Sequence, residues 1–177
     1  MRMPEQVETA RLLLRKPHMQ DASFIFTGWA QDREVTRYLT WRPHERIEQT
    51  EEFVRGCLAA WEGQRRYPYM ITMKETGEII GMIDPRLEDF KLGIGYVSAR
   101  AHWSKGYVTE ATQAVIKWAF QQTTIYRVYA TTDVENIASR RVLEKAGMQC
   151  EGILRKYILH PNISNIPRDS YMYAITK

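Results

Sequence analysis

Cysteine is scarce in this chain: Cys57 and Cys150 are the only two in 177 residues. Two thiols so far apart offer neither a disulfide framework nor the C-x-x-C spacing of a metal or redox site. A reducing, cytoplasmic setting is therefore expected, with each cysteine a small buried apolar residue. His18, His44, His102 and His160 make no paired ligand motif, and no metal is expected. No apolar run reaches the ~18 residues a membrane span needs. The opening Met-Arg-Met-Pro-Glu-Gln-Val-Glu also lacks the apolar centre of a signal peptide. A concentrated basic stripe is missing too. The net charge is +4, the Lys and Arg residues are scattered, and Arg65-Arg66 and Arg140-Arg141 are pairs rather than patches. That distribution argues against a nucleic-acid binder, whose affinity comes from clustered phosphate contacts. It suits plain solubility, or an anionic small-molecule partner.

What is present is enough apolar material, 44% of residues with 26% charged, for one globular domain spanning 1–177. A strand is expected over 10–15 and a helix over 21–30, with Asp21 as its N-cap. Ile47, Val54, Leu58 and Trp61 share one face of a second helix, 46–62, which Gly63 ends. Strands over 69–74 and 79–86 flank Glu75-Thr76-Gly77-Glu78, a hairpin turn with glycine where φ must be positive. A third strand covers 91–98. Helix 108–121 buries Val108, Ala111, Val115, Trp118 and Ala119, and strand 127–132 follows. Asn136 caps a helix over 137–146 that Gly147 closes, and the last strands lie within 148–159 and 171–175. This order gives a mixed α/β (α+β) layout around one central sheet, mostly antiparallel, with one parallel pair across the unit 91–132.

Chemistry concentrates in residues 102–111, His-Trp-Ser-Lys-Gly-Tyr-Val-Thr-Glu-Ala. A glycine just before a helix-forming run aims main-chain N–H groups and the positive end of a helix dipole at one spot, which favours a phosphate. Downstream, Asn136-x-x-Ser139 leads into Leu143-Glu144-Lys145-Ala146-Gly147-Met148. Upstream, Gly93-Ile94-Gly95-Tyr96-Val97-Ser98 has two glycines inside a strand, which reads as a bulge or as a twisted strand needing small residues. It is not a dinucleotide fingerprint, because Ser98 holds the third glycine position and no helix begins there.

With these segments in this order, residues 9–176 resemble the GNAT acetyltransferases, closest to the RimJ/RimL-like N-acetyltransferases. The resemblance implies helices on both faces of the sheet and central parallel strands that splay apart. The pantetheine arm of acetyl-CoA, the co-substrate, would lie in that gap. It implies pyrophosphate binding by main-chain groups of Ser104, Lys105, Gly106, Tyr107, Val108 and Thr109, and coenzyme contacts from Tyr96, Val97, Asn136 and Ser139. The Val97 N–H would receive the thioester oxyanion. Two residues depart from the branch: Ser104 replaces its usual glycine, and Val108 replaces a smaller residue. Leu143 stands where other GNAT enzymes carry a tyrosine acid, which leaves Ser139 as the group to hydrogen-bond the departing thiolate.

Gly93 and Ile158 stand where relatives carry a catalytic glutamate, so the base is sought among Asp84, Glu88, Asp89 and Asp169, with Asp84 foremost. A lysine-like acceptor of pKa ~10.4 costs about 4.6 kcal/mol to deprotonate at pH 7, an α-amine of pKa ~7.8 only about 1.1 kcal/mol. A site without a strong base therefore suits an α-amine. The acceptor is expected to be a small-molecule amine or a protein N-terminus, in a pocket walled by Trp29, Tyr38, Trp41 and Tyr69, although aromatics at this density also build cores. Neither nucleic acid nor membrane is an expected partner, and a monomer or a homodimer is expected. The competing function is a non-catalytic acyl-CoA-binding regulator on the same fold.

Overall fold

A computed structural model of the chain describes residues 2–177. Eight strands form one sheet: β1 (Gln6–Glu8), β2 (Leu12–Arg15), β3 (Tyr69–Met73), β4 (Ile79–Glu88), β5 (Lys91–Ser98), β6 (Arg127–Asp133), β7 (Gln149–Ile158) and β8 (Arg168–Thr176). Their spatial order is β1-β2-β3-β4-β5-β6-β8-β7. Every pairing is antiparallel except β5 with β6. The helices are α1 (Asp21–Ile25), which runs on as a π-helical turn Phe26–Ala30, then α2 (Arg33–Thr36), α3 (Ile47–Glu62), α4 (Tyr107–Gln121) and α5 (Ile137–Lys145).

The two faces of the sheet are covered by different helices. On one, Ile71, Ile83, Leu92, Ile94 and Val128 pack with Ala111, Val115 and Ala119 of α4 and Leu143 of α5. On the other, Met70 and Met82 pack with Ile25, Trp29, Val54 and Cys57 of α1 and α3. Side chains of this size each contribute about 1.5–3 kcal/mol when fully buried. The α3 helix begins with Gln49 Oε1 accepting from the N–H groups of Glu45 (2.7 Å) and Arg46 (3.1 Å). Trp61 ends it in the core, its indole N–H on the Pro68 carbonyl at 2.8 Å.

Several local expectations change. Asp21 lies inside the first helical turn rather than at the cap, because Arg15 binds both its oxygens at 2.8 Å. The short β1 and the single turn α2, the latter capped by Asp32, are additional elements. Cys57 is buried as expected, with burial pushing its thiol up to about 12, but Cys150 is exposed on β7.

The central feature is where pairing stops. β5 and β6 share three rungs, Lys91↔Arg127, Leu92↔Val128 and Gly93↔Tyr129. Beyond them β5 stays paired with β4 up to Gly81↔Ser98, and β6 stays paired with β8 up to Asp133↔Ser170. Each strand keeps its outer partner and loses the inner one, which opens a gap in mid-sheet.

Candidate functional site

The β5 edge of the gap is an unpaired main chain. Which groups face it follows from the alternation of the ladder. Ala99 N–H binds the Ile80 carbonyl at 2.9 Å, on the β4 side, whereas the Phe90 carbonyl accepts from Tyr126 N–H at 2.9 Å, on the β6 side. Register with β4 is unbroken between them. The main-chain groups of Gly93, Gly95 and Val97 therefore point to β4, and those of Ile94, Tyr96 and Ser98 point into the gap. This corrects the assignment of the oxyanion donor to Val97, whose N–H belongs to the β4 ladder. It also removes the expected bulge, since the free groups arise from strand divergence. The glycines have a steric cause at Gly93, where a Cβ would come within 3.1 Å of the Tyr129 ring.

At one end of this edge the chain turns through a short 3₁₀ segment, Arg100–His102, into α4. Trp103 braces the turn by donating its indole N–H to the Ser98 carbonyl at 2.9 Å. Ser104 (φ 61°) and Gly106 (φ 79°) both take left-handed conformations. Gly106 is the α4 N-cap, and no side chain among the described residues caps the helix. Ser104, Lys105 and Gly106 are exposed, and Tyr107, Val108 and Thr109 half-buried, so the first-turn donors open to the outside.

Glu110 is structural. Its carboxylate takes Thr9 Oγ1 (2.6 Å), Arg11 N–H (2.9 Å) and Arg11 Nε (2.7 Å), fastening α4 to the β1–β2 loop. Burial alone would raise the Glu110 carboxyl, but these bonds and the Arg11 charge outweigh it and hold the group below its usual range. Arg11 also stacks on Tyr107 (4.5 Å to the ring centroid) and reaches the Lys105 carbonyl at 3.2 Å.

Across the gap, Asn136 Oδ1 caps α5 by accepting from Ser139 N–H at 3.1 Å. Ser139 Oγ pairs with the Tyr96 hydroxyl at 2.8 Å, so a β5 phenol and an α5 hydroxyl meet where the two elements diverge. Burial raises the Tyr96 phenol well above its ordinary value. Leu143 is fully buried and belongs to the core.

Three of the four acidic candidates are held in ion pairs, and the fourth, Asp89, is exposed at the paired end of β5, away from the gap. Asp84 lies inside β4, 6% exposed, gripped by Arg66 Nε (3.0 and 2.8 Å) and by Arg86 (3.1 and 2.9 Å). Two guanidiniums occupy the oxygens a base would need. Glu88 accepts from the Tyr129 hydroxyl and pairs with Lys91, contacts that hold its carboxyl below the usual range. Asp169 accepts from Lys156 N–H and Arg155, and Asp89 sits in the β4–β5 turn with φ 28°.

The aromatic wall divides. Trp29 and Tyr69 are 1% and 0% exposed and belong to the two cores, which corrects their assignment to the acceptor pocket. Tyr38 and Trp41 are half-buried in the segment after α2. That segment meets the loop after β7, because Asn162 Nδ2 donates to the carbonyls of Thr36 (2.7 Å) and Trp41 (2.8 Å). Beneath this clamp, Arg168 binds the fully buried Asp133 carboxylate at 2.6 and 3.1 Å, and His160 Nε2 lies 3.7 Å from it. The sequence alone gives no sign of this cluster, because its members come together only through contacts distant in the chain.

Similarity to known proteins agrees with this geometry. The family model described as acetyltransferase (GNAT) domain matches residues 11–149. The Bacillus subtilis (strain 168) protein named uncharacterized N-acetyltransferase YoaA is 33% identical over 174 residues, 97% of this chain and 96% of that protein. The crystal structure of a GNAT-family acetyltransferase from Bacillus anthracis is 29% identical with a TM-score of 0.84, covering 97% of this chain and 98% of that one. RimL, the ribosomal L7/L12 alpha-N-protein acetyltransferase solved with coenzyme A, shares the fold at 20% identity and a TM-score of 0.85, covering 97% and 98%. A sheet split between its two parallel strands, an uncapped helix at the mouth of the split, a family model spanning both and a full-length relative named as an N-acetyltransferase establish that the chain belongs to the GNAT family and is an N-acetyltransferase.

Proposed function

We propose that the chain binds acetyl-CoA in the gap between β5 and β6 and transfers the acetyl group directly to a primary amine in a ternary complex. The α-amine of a protein or peptide is the favoured acceptor class. The observation that carries this reading is the free edge of β5, where the Ile94 carbonyl, both main-chain groups of Tyr96 and the Ser98 N–H face an opening beyond three parallel rungs. The amides of the pantetheine arm suit that edge as an added strand would. The diphosphate suits the uncapped donors from Ser104 to Thr109, with Lys105 adding charge. The N–H groups of Tyr96 and Ser98, rather than that of Val97, are the donors available to an oxyanion. The Tyr96–Ser139 hydroxyl pair is the group available to the departing thiolate.

Support for the coenzyme and for an α-amine acceptor also comes from RimL, solved with coenzyme A and named for α-N-protein acetylation. Calorimetry with acetyl-CoA and with coenzyme A should show uptake of both. Thiol release should then be faster with an N-terminal peptide amine than with a lysine side chain. Absence of any uptake would overturn the reading, and a clear lysine preference would overturn the acceptor class.

A further inference from the structure

His160 is 4% exposed, and neither of its ring nitrogens reaches good hydrogen-bond geometry with a described residue, although the Leu39 main chain lies beside the ring. A buried polar group left unpartnered costs about 1–3 kcal/mol, which asks for an explanation. The position is built. Ile163 and Ser164 N–H both bind the His160 carbonyl (2.9 and 3.0 Å), forming a tight turn, and Asn162 clamps that turn to the Thr36–Trp41 segment. Tyr38 meets the ring edge-on, 6.2 Å between centroids. Nε2 lies 3.7 Å from Asp133 Oδ2, too far for a hydrogen bond but close enough to orient the ring.

The register places this pair at the gap. Asp133 stands four residues past Tyr129, the last β6 residue paired with β5, while Tyr96 and Val97 stand three and four residues past Gly93 on β5. The two sides are therefore level. Counting by twos from the Gly93↔Tyr129 rung, Asp133, Gly95 and Val97 share one face of the sheet. Asp84, Glu88 and Asp169 are all engaged in ion pairs, and Asp89 is exposed in the β4–β5 turn at the far, paired end of β5, which leaves the imidazole as the proton acceptor without a hydrogen bond at this end of the gap.

We propose that His160, oriented by Asp133, is the general base of the transfer, taking the acceptor's proton through one bridging water in the gap. This rests on the acetyl-transfer reading above. The acceptor ammonium gives one proton, by way of the water, to the neutral imidazole and gains a lone pair. The N–C bond forms and the C–S bond breaks. The second proton on nitrogen passes to the departing thiolate, and the imidazolium returns its proton to solvent, so one proton is released per turnover. The ring is suited to this at neutral pH. Burial lowers its pKa, and Arg168 also lowers it, against the raising effects of Asp133 and the nearby Leu39 carbonyl. The other groups facing it are Tyr38 from the α2 side and, through Arg168, Glu135 after β6.

The test compares wild type and His160→Gln by kcat at saturating acetyl-CoA and peptide amine, from about pH 5 to about pH 9. Replacing the base should lower kcat by ~10²–10³-fold and abolish its acid limb. Acetyl-CoA affinity should stay within about twofold, as expected for a group that acts only on the acceptor. A glutamine variant that keeps the wild-type rate and limb overturns the base assignment alone. A wild type that acetylates no amine overturns the reading beneath it and this proposal together. Should His160→Gln fail to fold, histidine NMR on the wild type decides. The His160 titration midpoint must coincide with the acid limb of kcat, and a mismatch of more than about one pH unit overturns the proposal.

Discussion

The two helices that flank the gap begin in opposite ways. α5 starts on Asn136, whose own side chain satisfies an orphan N–H of its first turn. α4 starts on Gly106, left-handed and without a side-chain cap. Both starts are helix N-termini with the same dipole, so the dipole does not distinguish them. What differs is whether the donors are already used. An N-terminus that caps itself has already used one of its donors; one built on glycine, with its donors exposed, is ready for an anion from outside. The rigidity α4 loses by having no cap is replaced by Glu110, which ties the first turn to Thr9 and Arg11 from the side and leaves the tip clear.

The sharpest way to break this contrast is Gly106→Val. Space is not the constraint, since a Cβ here would meet only the Arg11 guanidinium at 3.6 Å, an ordinary contact. Conformation is, because φ is 79° and a β-branched residue strongly disfavours it. Acetyl-CoA affinity by calorimetry should fall about 100-fold as the donors are re-aimed. Gly106→Ala, carrying only the ~1–2 kcal/mol left-handed cost, should lose about 10-fold. Wild-type affinity in the valine variant would mean that α4 does not hold the diphosphate.

Glu110→Gln tests the side-tie. It should reduce unfolding stability by about 1–2 kcal/mol, the worth of charge-assisted bonds at a partly exposed site. The folded Glu110 carboxyl sits below its unfolded value, so its contribution is present above the unfolded pKa near ~4.3 and fades as pH falls through the folded value. Denaturation midpoints of wild type and variant should therefore converge below about pH 4. Parallel curves at all pH values would show that the carboxylate contributes nothing.

Asn136→Ala attacks the self-capped partner. Loss of the 3.1 Å cap to Ser139 should cost about 1 kcal/mol of stability. If the cap is all that Asn136 contributes, acetyl-CoA affinity should change less than about threefold; the coenzyme contact that the family resemblance implies for Asn136 would make the loss larger. A larger loss of affinity than of stability would erase the distinction between the two helices.

What the sequence disclosed divides along the same line. Signals carried by one residue and its immediate neighbours were legible: the Gly77 turn at φ 71°, the Asn136 cap, the Gly147 stop at φ 94° and the glycine opening α4. Features decided by a partner far along the chain were not. Asp21 looks like a cap until Arg15 claims it. Tyr69 looks like a pocket wall until its ring packs edge-on against Trp61 at 5.0 Å. Asp84 looks like a base until Arg66 and Arg86 claim its oxygens. The facing of Val97 depends on ladder parity, which a slip of one residue inverts. The His160 cluster needs the loop after β7 to reach back to Thr36, a contact spanning most of the chain.

Ser104 offers the smallest and most discriminating effect. It occupies a left-handed position, φ 61°, two residues before a glycine that does the same. A serine there carries roughly 1–2 kcal/mol of backbone strain that glycine would not. Glycine in turn gives the unfolded chain more freedom, worth roughly 0.5–1 kcal/mol against the fold. Relief of the strain outweighs that freedom, so Ser104→Gly should raise unfolding stability by about 0.5–1 kcal/mol, read as a shift in denaturant midpoint. If the turn presents main-chain groups alone, acetyl-CoA affinity should remain within about twofold, since the N–H survives the substitution. A loss of tenfold or more would mean that the Ser104 hydroxyl itself grips the anion, and the α4 mouth would then be a side-chain site as well as a backbone one.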